Sequence, residues 1–233
     1  MLEILGVPFS AHTRKVLVAL HEKAIAFRLV PVVPLMSEGP MAPPPDWREL
    51  SPLAKIPVLR SGKVTVADSS VINLYLERRF PERPLYPAEP EAYARALWIE
   101  EYVDGALQPH VLHGLLAERA FARIALGREP NEALIRRSLE AIPARLDYLE
   151  AQLGGRGFFA GDMLSVADIT VASILMNYHY AGCSIDPHSH PGLHRHLAAT
   201  LAGDGFQKHL STELLAAREV PTLDLGLIER AVR

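Results

Sequence analysis

Hydrophobic and polar residues follow two different periods along the chain, and the change falls near residue 85. Before it, short apolar runs typical of strands are separated by stretches whose apolar residues recur at helical spacing. The pattern predicts strands over 2–5, 26–33, 57–60 and 63–67, with a turn at 61–62, and helices over 13–23, 46–50 and 69–80. The first 80 residues therefore read as an α/β unit with the order βαβαββα.

The segment that follows, PERPLYPAEP at residues 81–90, is rich in proline and is predicted to be a stiff connection that no helix crosses. Beyond it the apolar period is helical, which predicts an all-α second unit. The predicted helices cover 91–118, 131–153, 165–180, 191–202 and 205–217. We therefore expect an α/β domain over 1–80, a linker over 81–90 and an all-helical domain over 91–233.

The composition narrows the classes of function without choosing one. Hydrophobic residues make up 49% and charged residues 22%, which suits a soluble protein with a sizeable core. A net charge of −3 without a long basic run gives no reason to expect nucleic acid or an anionic membrane as partner. The sequence has neither a membrane-spanning apolar run nor a signal peptide, so a cytoplasmic location is expected. Cys183 is the single cysteine, which excludes an intrachain disulfide and dithiol chemistry.

The first candidate site is VPFSAHTRK, residues 7–15, where a strand turns into a helix. Thioredoxin-type redox proteins place Cys-x-x-Cys at such a turn, whereas this chain has Ser10 and Thr13, so a reactive sulfur must come from a ligand. A hydroxyl hydrogen bond to a ligand thiolate contributes about 1.5–3 kcal/mol, which lowers a thiol pKa by about one to two. The alternative reading is that Ser10 only caps the helix.

The second candidate is KIPVL, residues 55–59, where Pro57 opens a strand. If the Ile56–Pro57 bond is cis, the backbone N–H and C=O of Ile56 face outward and suit an extended peptide ligand. The sequence does not give the isomer.

The third candidate is ADSSVINLYL, where Asp68 and Ser69 open a helix directly after a strand. A helix N-terminus and the Ser69 hydroxyl suit a ligand carboxylate, and Asp68 suits an ammonium group. A plain helix cap is the alternative. Taken together, the three candidates match the thiol, the peptide backbone and the amino-acid head group of glutathione.

The sequence resembles the glutathione S-transferases, in the bacterial form with a serine at the active-site turn. The resemblance is carried by FSAHTRKVLVALHEK, LSPLAKIPVL, ADSSVINLYLERRF and, in the helical part, FFAGDMLSVADITVASIL. In that last segment, Ser165 and Asp168 form a predicted capping box, with Leu164 and Ile169 as its hydrophobic staple. This segment is expected to stabilise the fold and not to take part in catalysis.

The resemblance implies a thioredoxin-like first domain and assigns roles to residues that match the family's motifs. Ser10 would stabilise the thiolate, Ile56 before Pro57 would bind the cysteinyl backbone, and Asp68 with Ser69 would bind the γ-glutamyl group. Lys55 lies beside Ile56 and is a candidate for the glycine carboxylate, or a solvated surface lysine. Asp68 departs from the family, which often has Glu or Gln there. The proline-rich stretch 34–45 is longer than usual and is expected to wall or partly cover the peptide site.

A second substrate is expected between the two domains. The candidates lie in the active-site turn and along one helical stripe, which Pro109 is expected to bend: Phe9, His12, Tyr102, Ala106 and His110. The alternatives are an exposed histidine at position 12 and an interior packing stripe. The histidines of DPHSHPGLHRH, between 188 and 196, are a rival zinc or nickel site that is interpreted as a polar surface loop, so no metal is expected.

These features favour an enzyme that ionises bound glutathione for attack on a hydrophobic electrophile, as in detoxification. The alternatives are a glutathione-dependent isomerase or peroxidase, and a non-catalytic adaptor with the same fold. The resemblance also implies a homodimer, with helices 69–80 and 91–118 meeting their copies. Arg78, Arg79, Glu100 and Glu101 are expected to supply its polar rim.

Overall fold

The computed structural model describes residues 1–232 and opens with a four-stranded sheet flanked by helices. Its elements are β1 (Leu2–Gly6), α1 (Ala11–Glu22), β2 (Phe27–Pro31), α2 (Trp47–Leu50), β3 (Val58–Ser61), β4 (Val64–Ala67) and α3 (Ser69–Arg79). The strand order is β2-β1-β3-β4, with β1 parallel to β2 and antiparallel to β3, and β3 antiparallel to β4. The predicted order βαβαββα and the thioredoxin-like arrangement are confirmed.

The rest of the described chain is helical. Its elements are α4 (Pro90–Tyr102), two π-helical segments (Val103–Leu107 and Pro109–Phe121), α5 (Glu132–Leu153), α6 (Val166–Tyr180), α7 (Pro191–Leu201), α8 (Asp204–Ala217) and α9 (Gly226–Ala231). The predicted helix 91–118 is therefore α-helical only in its first part. Pro109 lacks an N–H group, and a wider helical turn is one way in which a helix accommodates such an interruption. Among residues 1–232, every helix is too short or too polar to span a membrane.

Helix α1 lies between the sheet and the helical part and is buried on nearly all sides. Val16, Leu17 and Leu20 belong to the core beneath the sheet, whereas Val18 and Ala19 belong to the core of the helical part. After the end of α1 at Glu22, Ala24 is exposed and has a φ of 54°. Because α1 joins both cores, its N-terminus is fixed at the boundary between the two parts.

The predicted capping box at the start of α6 is present. Asp168 is fully buried, and its Oδ2 accepts hydrogen bonds from Ser165 N at 2.8 Å and Ser165 Oγ at 2.7 Å. Its Oδ1 accepts from Phe159 N at 2.9 Å and lies 2.8 Å from His196 Nε2. The interpretation of the histidine-rich segment as a polar surface loop is therefore wrong for His196, which is buried and contacts Asp168.

Candidate active site

Ser10 stands at the N-cap of α1, where the first N–H groups of the helix have no partner within it. Its side chain is half-buried, and its Oγ lies 3.5 Å from Thr13 N, a long and weak capping bond. The turn itself is closed by Ser10 N, which donates to Val7 O at 3.2 Å. The Ser10 hydroxyl is therefore held at a helix N-terminus while its proton remains free for a ligand.

Thr13, the second hydroxyl of the turn, points the other way. Its side chain is fully buried against Gly6, where an added Cβ would lie 2.5 Å from Thr13 Oγ1. Glycine at position 6 is therefore required by this close approach. Of the two positions that correspond to Cys-x-x-Cys, Ser10 is the one that faces outward.

His12 connects the Ser10 turn to the N-terminus of α3. Its Nδ1 lies 3.3 Å from Ser69 Oγ and 3.9 Å from Asp104 Oδ1. Burial lowers the pKa of His12 and outweighs the nearby Asp104 carboxylate, so the imidazole is neutral at neutral pH. His12 was a candidate for the second substrate, and the structure places it beside the serine assigned to the γ-glutamyl group.

Asp68 and Ser69 form the other wall of this region. Asp68 is exposed, and its Oδ1 accepts from Ser70 N at 2.9 Å and Val71 N at 3.2 Å, so it does cap α3. Its φ of 77° is uncommon for a residue other than glycine, and such positions cluster at ligand sites. Ser69 is buried, with its hydroxyl facing His12. Both capping bonds use Oδ1 of Asp68, which leaves Oδ2 for a ligand.

The segment before β3 carries the third group of predicted residues. The Ile56–Pro57 bond is cis. Just before it, Ser51 Oγ accepts from Lys55 N at 2.9 Å and donates to Lys55 O at 2.8 Å, which fixes the backbone at this point. Pro57 is buried and the Lys55 side chain is exposed. The preceding loop, 34–45, contacts the residues after β2 through a hydrogen bond in which Val33 N donates to Met41 O at 2.8 Å.

The predicted stripe of Tyr102, Ala106 and His110 packs against α5. The Tyr102 ring centroid lies 4.2 Å from that of Tyr148, and Arg145 Nε donates to Ala106 O at 2.8 Å. Burial, followed by the charge of Arg145, lowers the pKa of His110.

Asp104, which lies between Tyr102 and Ala106 in the sequence, approaches the first turn of α1, with its Oδ1 3.9 Å from His12 Nδ1. The predicted stripe assumes α-helical spacing, whereas the helix is π-helical over Val103–Leu107 and Pro109–Phe121, and a second-substrate site along it stays a prediction. Phe9, the other candidate, is partly buried and packs against the helical core.

Lys15 is a buried lysine that links the helices around this region, and the sequence patterns did not indicate it. Lys15 Nζ lies 2.9 Å from Glu100 Oε1, 2.8 Å from Asp104 Oδ2 and 3.0 Å from Ser70 Oγ, and so joins α1, α4 and α3. Glu100 is 1% exposed and is engaged inside the chain, so the expectation that it forms part of a dimer rim was wrong.

The histidine-rich segment is divided among separate structural contacts. His190 Nε2 lies 2.9 Å from Asp147 Oδ1, while His196 belongs to the Asp168 cluster. Within residues 1–232, no group of three or more His, Cys, Asp or Glu side chains is arranged to hold a metal ion.

Two domain models of one family match the chain on either side of the linker. The model of the glutathione S-transferase N-terminal domain matches residues 9–79, and the model of the C-terminal domain matches residues 132–199. The chain belongs to the glutathione S-transferase family. The first match begins next to Ser10 and includes Ile56, Asp68 and Ser69.

Curated proteins and a solved structure are similar to this chain over most of its length. Glutathione S-transferase 3 of Zea mays is 29% identical over 72% of this chain and 73% of its own length. FtsZ-localized protein A of Caulobacter vibrioides is 28% identical over 75% of this chain and 76% of its own. The crystal structure of a glutathione S-transferase from Rhodospirillum rubrum F11 superposes with a TM-score of 0.79 at 26% identity, covering 91% of this chain and 92% of that one.

Proposed function

We propose that this chain is a glutathione transferase that ionises the thiol of bound glutathione and presents the thiolate to a hydrophobic electrophile. One observation carries the proposal. His12 Nδ1 lies 3.3 Å from Ser69 Oγ, so the thiolate turn and the candidate head-group site are neighbours. A single small peptide spanning the two is therefore the ligand that the geometry favours.

Ser10 is assigned to the sulfur. Its hydroxyl donates a hydrogen bond to the thiolate, and the N-terminus of α1 adds a partial positive charge at the same place. Both effects favour the ionised thiol over the neutral one and lower its pKa. The bound peptide holds the thiolate in place for attack on the electrophile.

The remaining contacts bind the peptide. Oδ2 of Asp68 is assigned to the ligand's ammonium, and the Ser69 hydroxyl with the N-terminus of α3 is assigned to its carboxylate. The Ile56 backbone is assigned to the cysteinyl part, and the Lys55 side chain to the glycine carboxylate. Pro57 fixes the direction of the chain at Ile56.

Replacing Asp68 with asparagine is expected to weaken glutathione binding by about 1–3 kcal/mol, because the ligand's ammonium loses its charged partner. Asparagine keeps the oxygen that caps α3 and tolerates a positive φ, so the melting temperature should be unchanged. Calorimetric titration with glutathione measures the effect.

Asp224→Asn is the matched control, since Asp224 is also exposed and accepts from a backbone N–H two residues ahead, Gly226 N, at 2.9 Å. This variant should bind glutathione like the wild type. Equal affinity of Asp68→Asn and the wild type would mean that Asp68 only caps its helix.

The main competing function is a non-catalytic adaptor. It is favoured by the similarity to FtsZ-localized protein A, which is named for a location and not for a reaction. Glutathione titration followed by a panel of aryl halides, peroxides and isomerisable substrates separates the candidates. No binding at millimolar glutathione would favour the adaptor, whereas turnover restricted to peroxides or isomerisable substrates would favour the alternative enzymes.

The proposal includes a cytoplasmic location, a role in detoxification and domain bounds of 1–80, 81–90 and 91–233. It also includes a homodimer. Val71 on α3 and Trp98 on α4 are 51% and 54% exposed, which places apolar surface on the two helices expected to meet their copies. Exposed charges beside them are Arg78, Arg79 and Glu101.

Light scattering at micromolar concentration is expected to give twice the chain mass of 25.7 kDa. Trp98→Glu should shift this mass toward the monomer, because it places a charge in an apolar contact. Leu215→Glu, at a similarly exposed leucine on α8, should leave it unchanged. A monomer mass for the wild type would contradict the homodimer.

A further inference from the structure

A buried cluster of polar side chains lies where α1 meets α6 and α8. Arg14 and Glu213 are its centre, and both side chains have 0% exposure. His209 of α8, 2% exposed, and Tyr180 of α6 also contact Glu213. The mechanism proposed above uses none of these four residues.

Within the cluster, Arg14 and Glu213 form a two-bond ion pair. Arg14 Nε donates to Glu213 Oε2 at 2.7 Å, and Arg14 Nη2 donates to Glu213 Oε1. The hydroxyl of Tyr180 also donates to Oε1. Arg14 Nη1 donates further to Asn177 Oδ1 at 2.9 Å. The cluster thus satisfies its own charges, as a buried pair requires.

Two donors of the cluster also contact the active-site turn. Arg14 Nη2 donates to Phe9 O at 3.2 Å, and His209 Nε2 donates to Pro8 O at 3.1 Å. These are the two carbonyl groups immediately before Ser10. His209 Nε2 lies 3.0 Å from Glu213 Oε2 as well, so the carboxylate orients the imidazole N–H that contacts the turn.

We propose that His209 is a positioning residue for Ser10: by holding the Pro8 carbonyl, α8 sets where the Ser10 hydroxyl meets the thiolate of bound glutathione. The inference rests on the proposed function. The turn is also held by Arg14 Nη2 at Phe9 O, by Ser10 N at Val7 O and by Arg14 N at Ser10 O, and His209 adds the contact at Pro8 O. A hydrogen bond to a reacting atom requires placement within a fraction of an ångström, so a distant residue that fixes the turn affects chemistry.

The test compares His209→Leu, which removes the donor, with His209→Gln, whose amide nitrogen lies at a similar distance from the backbone as Nε2. The matched control is His190→Leu. His190 is 7% exposed and its Nε2 is 2.9 Å from Asp147 Oδ1, but it contacts α5 and not the turn. Each variant is assayed for the ultraviolet absorbance of bound thiolate against pH, for glutathione affinity, for turnover with an activated aryl halide, and for melting temperature.

For His209→Leu we expect a higher pKa of the bound thiol and about three- to thirtyfold lower turnover at neutral pH, with glutathione affinity changed far less. His209→Gln should restore both the titration curve and the turnover. His190→Leu should lower only the melting temperature. A folded His209→Leu variant with the wild-type titration curve and turnover would overturn the inference.

Hydrogen exchange gives a readout that does not depend on glutathione chemistry. The peptide covering residues 7–13 should exchange faster in His209→Leu than in the wild type or His190→Leu, and unchanged exchange would overturn the inference. If His209→Leu fails to fold, His209→Asn, which is polar but shorter, replaces it in both experiments. A wild type that binds no glutathione would instead overturn the proposed function, and this inference with it.

Discussion

Replacing Ser10 with alanine is expected to lower turnover at neutral pH by about ten- to hundredfold while glutathione continues to bind. The hydroxyl bonds the thiolate more strongly than the neutral thiol, and its loss removes about 1.5–3 kcal/mol of stabilisation from the charged form. The peptide contacts assigned to Ile56, Asp68 and Ser69 are not altered. Ser10→Ala should therefore affect catalysis far more than affinity.

The pH dependence distinguishes this role from helix capping. Without the hydroxyl the bound thiol keeps a higher pKa, so the deficit should shrink as pH rises and solvent removes the proton. The measurement is the ultraviolet absorbance of bound thiolate against pH, together with a pH–rate profile for an activated aryl halide.

Ser10→Thr retains a hydroxyl and should recover much of the activity. Ser211→Ala, at an exposed serine within α8, controls for removal of a serine hydroxyl elsewhere. Identical titration curves for Ser10→Ala and the wild type would show that Ser10 is only a cap. The role would then pass to His12 or a backbone N–H, because Thr13 is buried against Gly6.

The parts of the structure that sequence could predict are those set by local patterns. Within residues 1–232, strand alternation, helical period and the proline-rich linker located the four strands and all but one of the α-helices, with ends displaced by a few residues. The exception, α9, spans only Gly226–Ala231, which is too short for a period to be visible. Ser10, Ile56 and Asp68 are candidates because each lies where one element ends and the next begins.

The parts that could not be predicted depend on contacts between distant segments. Lys15 and its partner Asp104 are 89 positions apart, and His209 lies 201 positions from Pro8. A local pattern contains no information on such pairs, so Arg14 and Lys15 look like the polar side of a helix although both are buried. Pro109 predicts an irregularity in the helix that follows Tyr102, but the change from α to π turns begins six residues earlier, at Val103, where spacing rules give no signal.

The largest expected effect on stability comes from the buried ion pair between Arg14 and Glu213. Glu213→Gln should lower the free energy of unfolding by about 3–5 kcal/mol, because it leaves the Arg14 charge buried without a countercharge. Urea unfolding followed by circular dichroism measures the change. Glu129→Gln is the control, since Glu129 pairs with Arg123 at the surface, where both side chains are mostly exposed, and it should have no measurable effect.

The pH dependence of unfolding tests the same pair independently. Burial would raise the pKa of Glu213, but the charges and hydrogen bonds of Arg14 and His209 outweigh it and lower that pKa from 4.5 to about 2. A carboxylate with a lowered pKa stabilises the fold above its unfolded pKa, and this contribution is lost as pH falls from about 4.5 to about 2. This lowering of the pKa corresponds to about 3 kcal/mol, which agrees with the effect expected for Glu213→Gln. The stability gap between the wild type and Glu213→Gln should therefore be full at pH 7 and narrow across this acid range; a gap that stays constant down to pH 2 would mean that Glu213 is not ionised in the folded protein.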